Sequence, residues 1–147
     1  MDTALRQLIQ YKGSRVCHVE PEVTVEEAAQ TMARDKVGSL LVMHEEDVVG
    51  ILTERDVLYR VVAEGRNPKD TPVHEVMTKD LVVVKPNITV RDAMAIVTEK
   101  RFRHLPVIEE GRLLGMLSSG DLTRWVVAAE EDYIETLTNY ITGKYPG

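Results

Sequence analysis

VEPEVTVEEAAQTMARDKVGSLLVMHEEDVVGILTERDVLYRVV, residues 19–62, is followed by a second version of itself, VKPNITVRDAMAIVTEKRFRHLPVIEEGRLLGMLSSGDLTRWVV, residues 84–127. A shift of 65 positions lays one over the other without a gap. It pairs identical residues at Val19/Val84, Pro21/Pro86, Thr24/Thr89, Val25/Val90, Ala28/Ala93, Leu40/Leu105, Val42/Val107, Gly50/Gly115, Leu52/Leu117, Asp56/Asp121, Val61/Val126 and Val62/Val127. Ordinary residue usage gives about three identities over such a stretch. Val23/Ile88, Thr53/Ser118 and Ile51/Met116 keep their character. The period is too long, and the copies too few, for a solenoid. The pattern describes a duplicated small module whose halves pack about a pseudo-two-fold axis, an arrangement that creates two related clefts.

Each copy reads β-α-β-β-α. Cys17–Glu20 and Leu81–Lys85 are short apolar runs suited to strands, and Pro21 and Pro86 end them. Thr24 and Thr89 stand where a helix wants its N-cap; Glu27 completes a capping box and Asp92 imitates one. Apolar residues then recur at helical spacing: Val25, Ala28, Ala29 and Met32 in the first copy, Val90, Ala93, Met94 and Val97 in the second. Two hairpins follow, Leu40–Met43 with Val48–Leu52 and Leu105–Ile108 with Leu113–Leu117, turned by HEED and EEGR. Second helices are expected over Asp56–Val62 and Asp121–Ala129. The stretch EGRNPKDTP, residues 64–72, has linker composition. The chain divides into a first repeat with a short helical lead-in at Ala4–Gln10 (1–65), a linker (66–75), a second repeat (76–129) and a C-terminal helical extension (130–147). Residues 73–77 suit a helical turn. Ile134, Leu137, Tyr140 and Ile141 fall on one face of the extension, suited to a dimer contact or a lid over the core.

With 147 residues, the chain is one ordinary domain's worth of material. Each half alone would be marginal, so a shared core is expected. The net charge of −6 and the absence of a basic stripe argue against nucleic acid. No apolar run approaches the roughly 18 residues of a membrane helix. The start, MDTALRQLIQYKG, lacks the basic and apolar regions of a signal peptide, so a cytoplasmic protein is expected. The single cysteine, Cys17, excludes an intramolecular disulfide and a cysteine zinc site. It suits an inert small hydrophobe on a strand. His18, His44, His74 and His104 are scattered, so no metal site is expected.

The chemistry-bearing signal is the pair GILTERD (50–56) and GMLSSGD (115–121). Both leave a strand at Gly, pass a hydroxyl residue, and reach Asp at a helix start. Helix N-terminal N–H groups attract phosphate, and Thr53 or Ser118 adds a hydroxyl. An Asp carboxylate can accept two hydrogen bonds from adjacent ribose hydroxyls. Arg55 adds a guanidinium where the second copy has Gly120. Plain helix capping explains the same residues fully.

The repeats, the strand-Pro-x-x-Thr-Val-x-x-Ala pattern (21–28 and 86–93), the His-Leu-Pro-Val strand (104–107, with Ser-Leu-Leu-Val at 39–42) and the two turns resemble the cystathionine-β-synthase (CBS) domain family. The match is to a tandem CBS pair, or Bateman module, over residues 5–128. The resemblance implies an α/β (α+β) fold, two repeats packed sheet to sheet, and a disc-like homodimer. It further implies a regulatory module, not an enzyme, that needs no cofactor and binds an adenosine-containing nucleotide (AMP, ADP, ATP or NAD(H)). The nucleotide would lie in clefts between the repeats and signal energy or redox state to a separate regulated protein. By that resemblance one cleft is headed by Asp121, Ser118 and Gly120, with Lys12, Gly13, Cys17, Val37 and Gly38 on the adenine side. The other is headed by Asp56, Thr53 and Arg55, with Thr78, Val82, Phe102 and Arg103; His104 lies beside a cleft. The clefts differ, since Lys12-Gly13 stands where the second copy has Thr78, and Leu41 where it has Pro106. Tighter binding is expected in the cleft with Arg55, Thr78 and Arg103. Two other classes stay open on residues alone: a nucleotide-free dimerisation module, and an enzyme acting on the bound nucleotide, for which no paired base and nucleophile is evident.

Overall fold

The computed structural model describes residues 2–142, with side-chain surroundings through Glu130. Lead-in helix α1 (Leu5–Lys12) precedes β1 (His18–Val19), α2 (Val25–Asp35), β2 (Ser39–His44), β3 (Asp47–Thr53) and the single turn α3 (Glu54–Asp56). The chain then winds wider over Val57–Val62, where Ala63 N–H donates to the Leu58 carbonyl five residues back at 2.9 Å. A 3-10 turn, Val73–Glu75, leads to α4 (Val90–Lys100), β4 (His104–Glu109), β5 (Arg112–Ser118) and α5 (Ser119–Thr142). The apolar face expected at Ile134, Leu137, Tyr140 and Ile141 lies outside the described side chains, as does Tyr133.

The duplication is visible in backbone detail. β2 and β3 pair antiparallel with a register shift between Val42 and Met43; β4 and β5 pair likewise with a shift between Val107 and Ile108. α2 and α4 end on left-handed residues at matching positions, Lys36 (φ 56°) and Arg101 (φ 57°). The hairpins turn at Glu45 (φ 56°) and Glu110 (φ 50°).

Capping differs from expectation. Thr24 Oγ1 accepts from Glu27 N–H at 3.2 Å, yet Glu27 is exposed and returns no bond to the cap. Asp92 closes the reciprocal pair, accepting from Thr89 N–H at 3.0 Å while Thr89 Oγ1 accepts from Asp92 N–H at 3.1 Å. The shorter carboxylate stays over the cap amide, and the longer one extends into solvent.

The first strands are shorter than read. In repeat one, β1 runs parallel to β2, and Leu41 N–H donates to the Cys17 carbonyl at 3.1 Å. The position matching Leu41 is Pro106, which has no N–H to give Val82. The strand expected over Leu81–Lys85 therefore shrinks to a bridge at Val84, whose N–H reaches the Pro106 carbonyl at 3.0 Å and whose carbonyl accepts from Ile108 at 2.9 Å.

Instead of one shared core there are two clusters. One gathers Val25, Ala28, Met32, Leu40, Val42, Leu52 and Val61 with Val73 from the end of the linker and Val76 and Met77 just after it. The other gathers Val84, Val90, Ala93, Leu105, Val107, Leu117 and Leu122 with Leu5, Leu8 and Ile9 of α1. The lead-in, which sequence order groups with the first repeat, thus packs on the second. Thr3 carbonyl accepts from Val90 N–H at 2.8 Å, Leu5 N–H donates to the Ile88 carbonyl at 2.9 Å, and Arg6 pairs with Glu109 on β4. Leu41 and Ile51 face away from the first cluster, opposite one another, and are still 0% and 4% exposed. That sheet is therefore covered on both faces.

Candidate functional site

The two strand-to-helix turns have one construction. Asp56 Oδ2 accepts from Thr53 N–H at 3.0 Å and Thr53 Oγ1 accepts from Asp56 N–H at 3.1 Å. Asp121 Oδ2 accepts from Ser118 N–H at 2.8 Å and Ser118 Oγ from Asp121 N–H at 3.1 Å. Glu54 N–H binds the Gly38 carbonyl at 3.0 Å, matched by Ser119 N–H on Arg103 at 2.8 Å. Both aspartates therefore act as helix caps. They differ in what else reaches them.

At Asp56 the third group is neutral. Thr78 Oγ1 donates to Oδ1 at 3.0 Å, and Arg60 stands off at 3.8 Å. Thr78 is held by reciprocal backbone bonds with Ile51 at 2.8 and 2.9 Å, a close approach that Gly50 permits. Asp56 is only 7% exposed, beneath Thr78 rather than in an open wall. Over this turn lies a cleft of about 410 Å³ lined by both repeats. Gly38, Thr53, Arg55, Thr78, Phe102, Arg103, His104 and Ser118 line it among the residues read from sequence. Gly38 and Ser118, assigned to the other cleft, thus join this one. Ile51, Glu54, Leu81, Arg101 and Ser119 also line it and escaped the sequence reading. The alternation Arg101-Phe102-Arg103 was their most legible signal. None of Arg55, Arg101 and Arg103 forms an ion pair among the described residues, though Arg55 lies 5.0 Å over the Tyr59 ring. The cleft can hold an anion between guanidinium groups and an apolar surface against Ile51, Leu81 and Phe102.

At Asp121 the third group is a cation. Lys12 Nζ lies 2.6 Å from Oδ2 and 2.8 Å from the Met116 carbonyl, and Arg124 holds Oδ1 at 2.6 Å. The lead-in matches the segment 71–78 with an offset of 68 at Thr3/Thr71, Leu5/Val73 and Arg6/His74, judged by their backbone bonds. The offset returns to 65 at Gly13/Thr78, whose carbonyls face Gly115 and Gly50. The lead-in therefore holds three additional residues between Arg6 and Gly13, and α1 runs to Lys12, two residues past the expected Gln10. They set an ammonium where the other turn has a threonine hydroxyl. Burial alone would raise the Asp121 carboxyl, but the Lys12 hydrogen bond, the Ser118 N–H and the Lys12 charge outweigh it and hold the group below its ordinary value. His104 is pushed down by burial first and by the Lys12 charge next, against the pull of Asp121.

Of the remaining expected residues, Gly13 (φ 100°) ends α1 and Gly120 lies beside Arg124. Cys17 is half-buried, its Sγ 3.8 Å from an Asp35 carboxylate oxygen, and with Val37 it packs on the first core. Val82 packs on the second core, as does Trp125. None of these lines the 410 Å³ cleft. Among the described residues no group of His, Cys, Asp and Glu could hold a metal ion, and no helix is long and apolar enough to cross a membrane.

The CBS domain family model matches residues 5–63 and 73–128, the two repeats. The chain belongs to the CBS domain family. It is 38% identical over 127 residues to the CBS domain-containing protein CBSX3, mitochondrial, of Arabidopsis thaliana, covering 83% of this chain and 62% of that protein's length. The crystal structure of the CBS-domain containing protein ATU1752 from Agrobacterium tumefaciens superposes with a TM-score of 0.78 at 39% identity, covering 83% of this chain and 98% of that one. The hexameric CBS-CP12 protein from bloom-forming cyanobacteria does so with a TM-score of 0.76 at 31% identity, covering 97% of this chain and 87% of that one. These are tandem CBS proteins, generally regulatory modules, and their α+β fold is the one described above.

Proposed function

We propose that the chain is a regulatory sensor that binds an adenosine-containing nucleotide in the cleft over the Thr53–Asp56 turn and passes the resulting change to a partner protein. The observation that carries this reading is the junction of three guanidinium groups, without an ion pair among the described residues, with an apolar wall in a 410 Å³ space bounded by both repeats. That volume lies within the usual range for small-molecule sites. The phosphate would meet Arg55, Arg101 and Arg103 near the N-terminus of α5, and the base would lie against Phe102, Leu81 and Ile51. Thr78, supported from below by Asp56, would meet the ribose. A ligand that contacts both repeats prefers one relative setting of them, and that difference drives a switch. No base-nucleophile pair among these residues suggests turnover. Self-association fits the exposed Val62 (64%) and its counterpart Val127 (42%) on the helices that follow β3 and β5.

The test is a thermal-shift panel of AMP, ADP, ATP, NAD, NADH and S-adenosylmethionine on the wild type and on Arg103→Ala. A ligand at a hundred times its Kd adds about 2.7 kcal/mol of apparent stability. At least one adenine nucleotide should raise the melting temperature of the wild type, and Arg103→Ala should reduce that shift while leaving the unliganded melt in place. No shift from any nucleotide at millimolar concentration would leave a nucleotide-free scaffold.

A further inference from the structure

We propose that Lys12 is a built-in occupant of the Asp121 turn, so that this chain takes one nucleotide where its duplicated architecture offers two sites. The inference rests on the binding reading above. A ribose diol needs free lone pairs on the carboxylate it grips. At Asp121 one oxygen already accepts from Lys12 and from Ser118 N–H, and the other from Arg124. The lysine's second bond, to the Met116 carbonyl at 2.8 Å, holds its ammonium in place against β5. Just after it, Gly13 folds back to donate to the Ile9 carbonyl at 2.7 Å, which fixes the end of the helix that carries the lysine. A ligand entering here must break a charge-assisted contact and leave an ammonium without its partner. At Asp56 the equivalent place holds a neutral hydroxyl, which can rotate toward a ligand without separating charges. The asymmetry at Oδ2 comes from three inserted residues in the lead-in, not from the turns, whose capping bonds are the same; at Oδ1 it comes from Arg124, where the first repeat has Tyr59.

Calorimetric titration with AMP reads this directly. Wild type should bind one AMP per chain, and Arg103→Ala should weaken that event. Lys12→Ala should bind two. Lys12→Met, which keeps the aliphatic stem and removes only the charge, should do the same. The Lys12→Ala, Asp121→Ala double variant should return to one. Two equivalent AMP molecules on the wild type, or one on both Lys12 variants with their melts intact, would overturn the proposal while leaving the nucleotide reading standing. No AMP on the wild type would overturn this proposal, and no binding by any other nucleotide of the thermal-shift panel would overturn that reading with it.

Discussion

Alanine at Gly50 and alanine at Gly115 are the same substitution at matched points of the two repeats, yet the structure assigns them different costs. A Cβ at Gly50 would lie 2.7 Å from Met77 Sδ and 3.0 Å from the Thr78 carbonyl oxygen. Met77 is buried and the carbonyl is backbone, bonded to Ile51 N–H at 2.9 Å. Overpacking of this kind costs about 1–3 kcal/mol. Weakening one backbone bond adds about 1 kcal/mol, and the unfolded-state gain from Gly→Ala returns about 0.4–1 kcal/mol. The midpoints give a net loss of about 2 kcal/mol, or roughly 4–8 °C in melting temperature for a chain of this size. At Gly115 the tight neighbour is the Ile9 Cδ1 methyl at 2.8 Å, and the Gly13 carbonyl stands off at 3.8 Å. A methyl at the end of a side chain moves aside more readily than backbone, so about 1 kcal/mol is expected. Urea unfolding of the two variants, followed by circular dichroism, gives both numbers. Gly50→Ala should also blunt any nucleotide shift, because Thr78 is displaced from Asp56. A Gly115→Ala variant as unstable as Gly50→Ala would refute the reasoning.

Leu5→Ala should cost about 2–5 kcal/mol, the range for a fully buried leucine. Trp125, packed on the same cluster, should report the loosening by fluorescence. Because folding lowers the Asp121 carboxyl below its ordinary 3.8, its contribution to stability is complete above that pH and fades as pH falls through the lowered value. Lys12→Ala should shrink that acid-side loss, measured as melting temperature between about pH 5 and 2. His104 should titrate below its ordinary 6.5 in proton NMR, and Lys12→Ala should bring it upward.

The fold was legible because its signals were doubled. A capping threonine, a helical stripe and a hairpin read once are ambiguous; at a fixed offset they reinforce each other. The turns at Thr53–Asp56 and Ser118–Asp121 were legible as a local motif. The family resemblance grouped Thr78 with Asp56 and Lys12 with Asp121, and the structure joins both pairs; that the contacts are direct bonds to the aspartates was not legible, because Thr78 and Lys12 reach them from segments distant in sequence. Arg101 escaped for a related reason: it ends α4 in a left-handed conformation, which periodicity does not mark. Pro106 was noticed as a departure, but its effect needs the parallel pairing to be seen, since only then does its missing N–H cancel a bond to Val82.

The crossing of the lead-in onto the far repeat makes the molecule a closed loop fastened by its opening segment. Repeat one is finished by chain that follows it, repeat two by chain that came long before. A stretching force applied upstream of Leu5 would therefore not tug at the neighbouring first repeat. It would peel Leu5, Leu8 and Ile9 from the second, and carry Lys12 away from Asp121 along the same path.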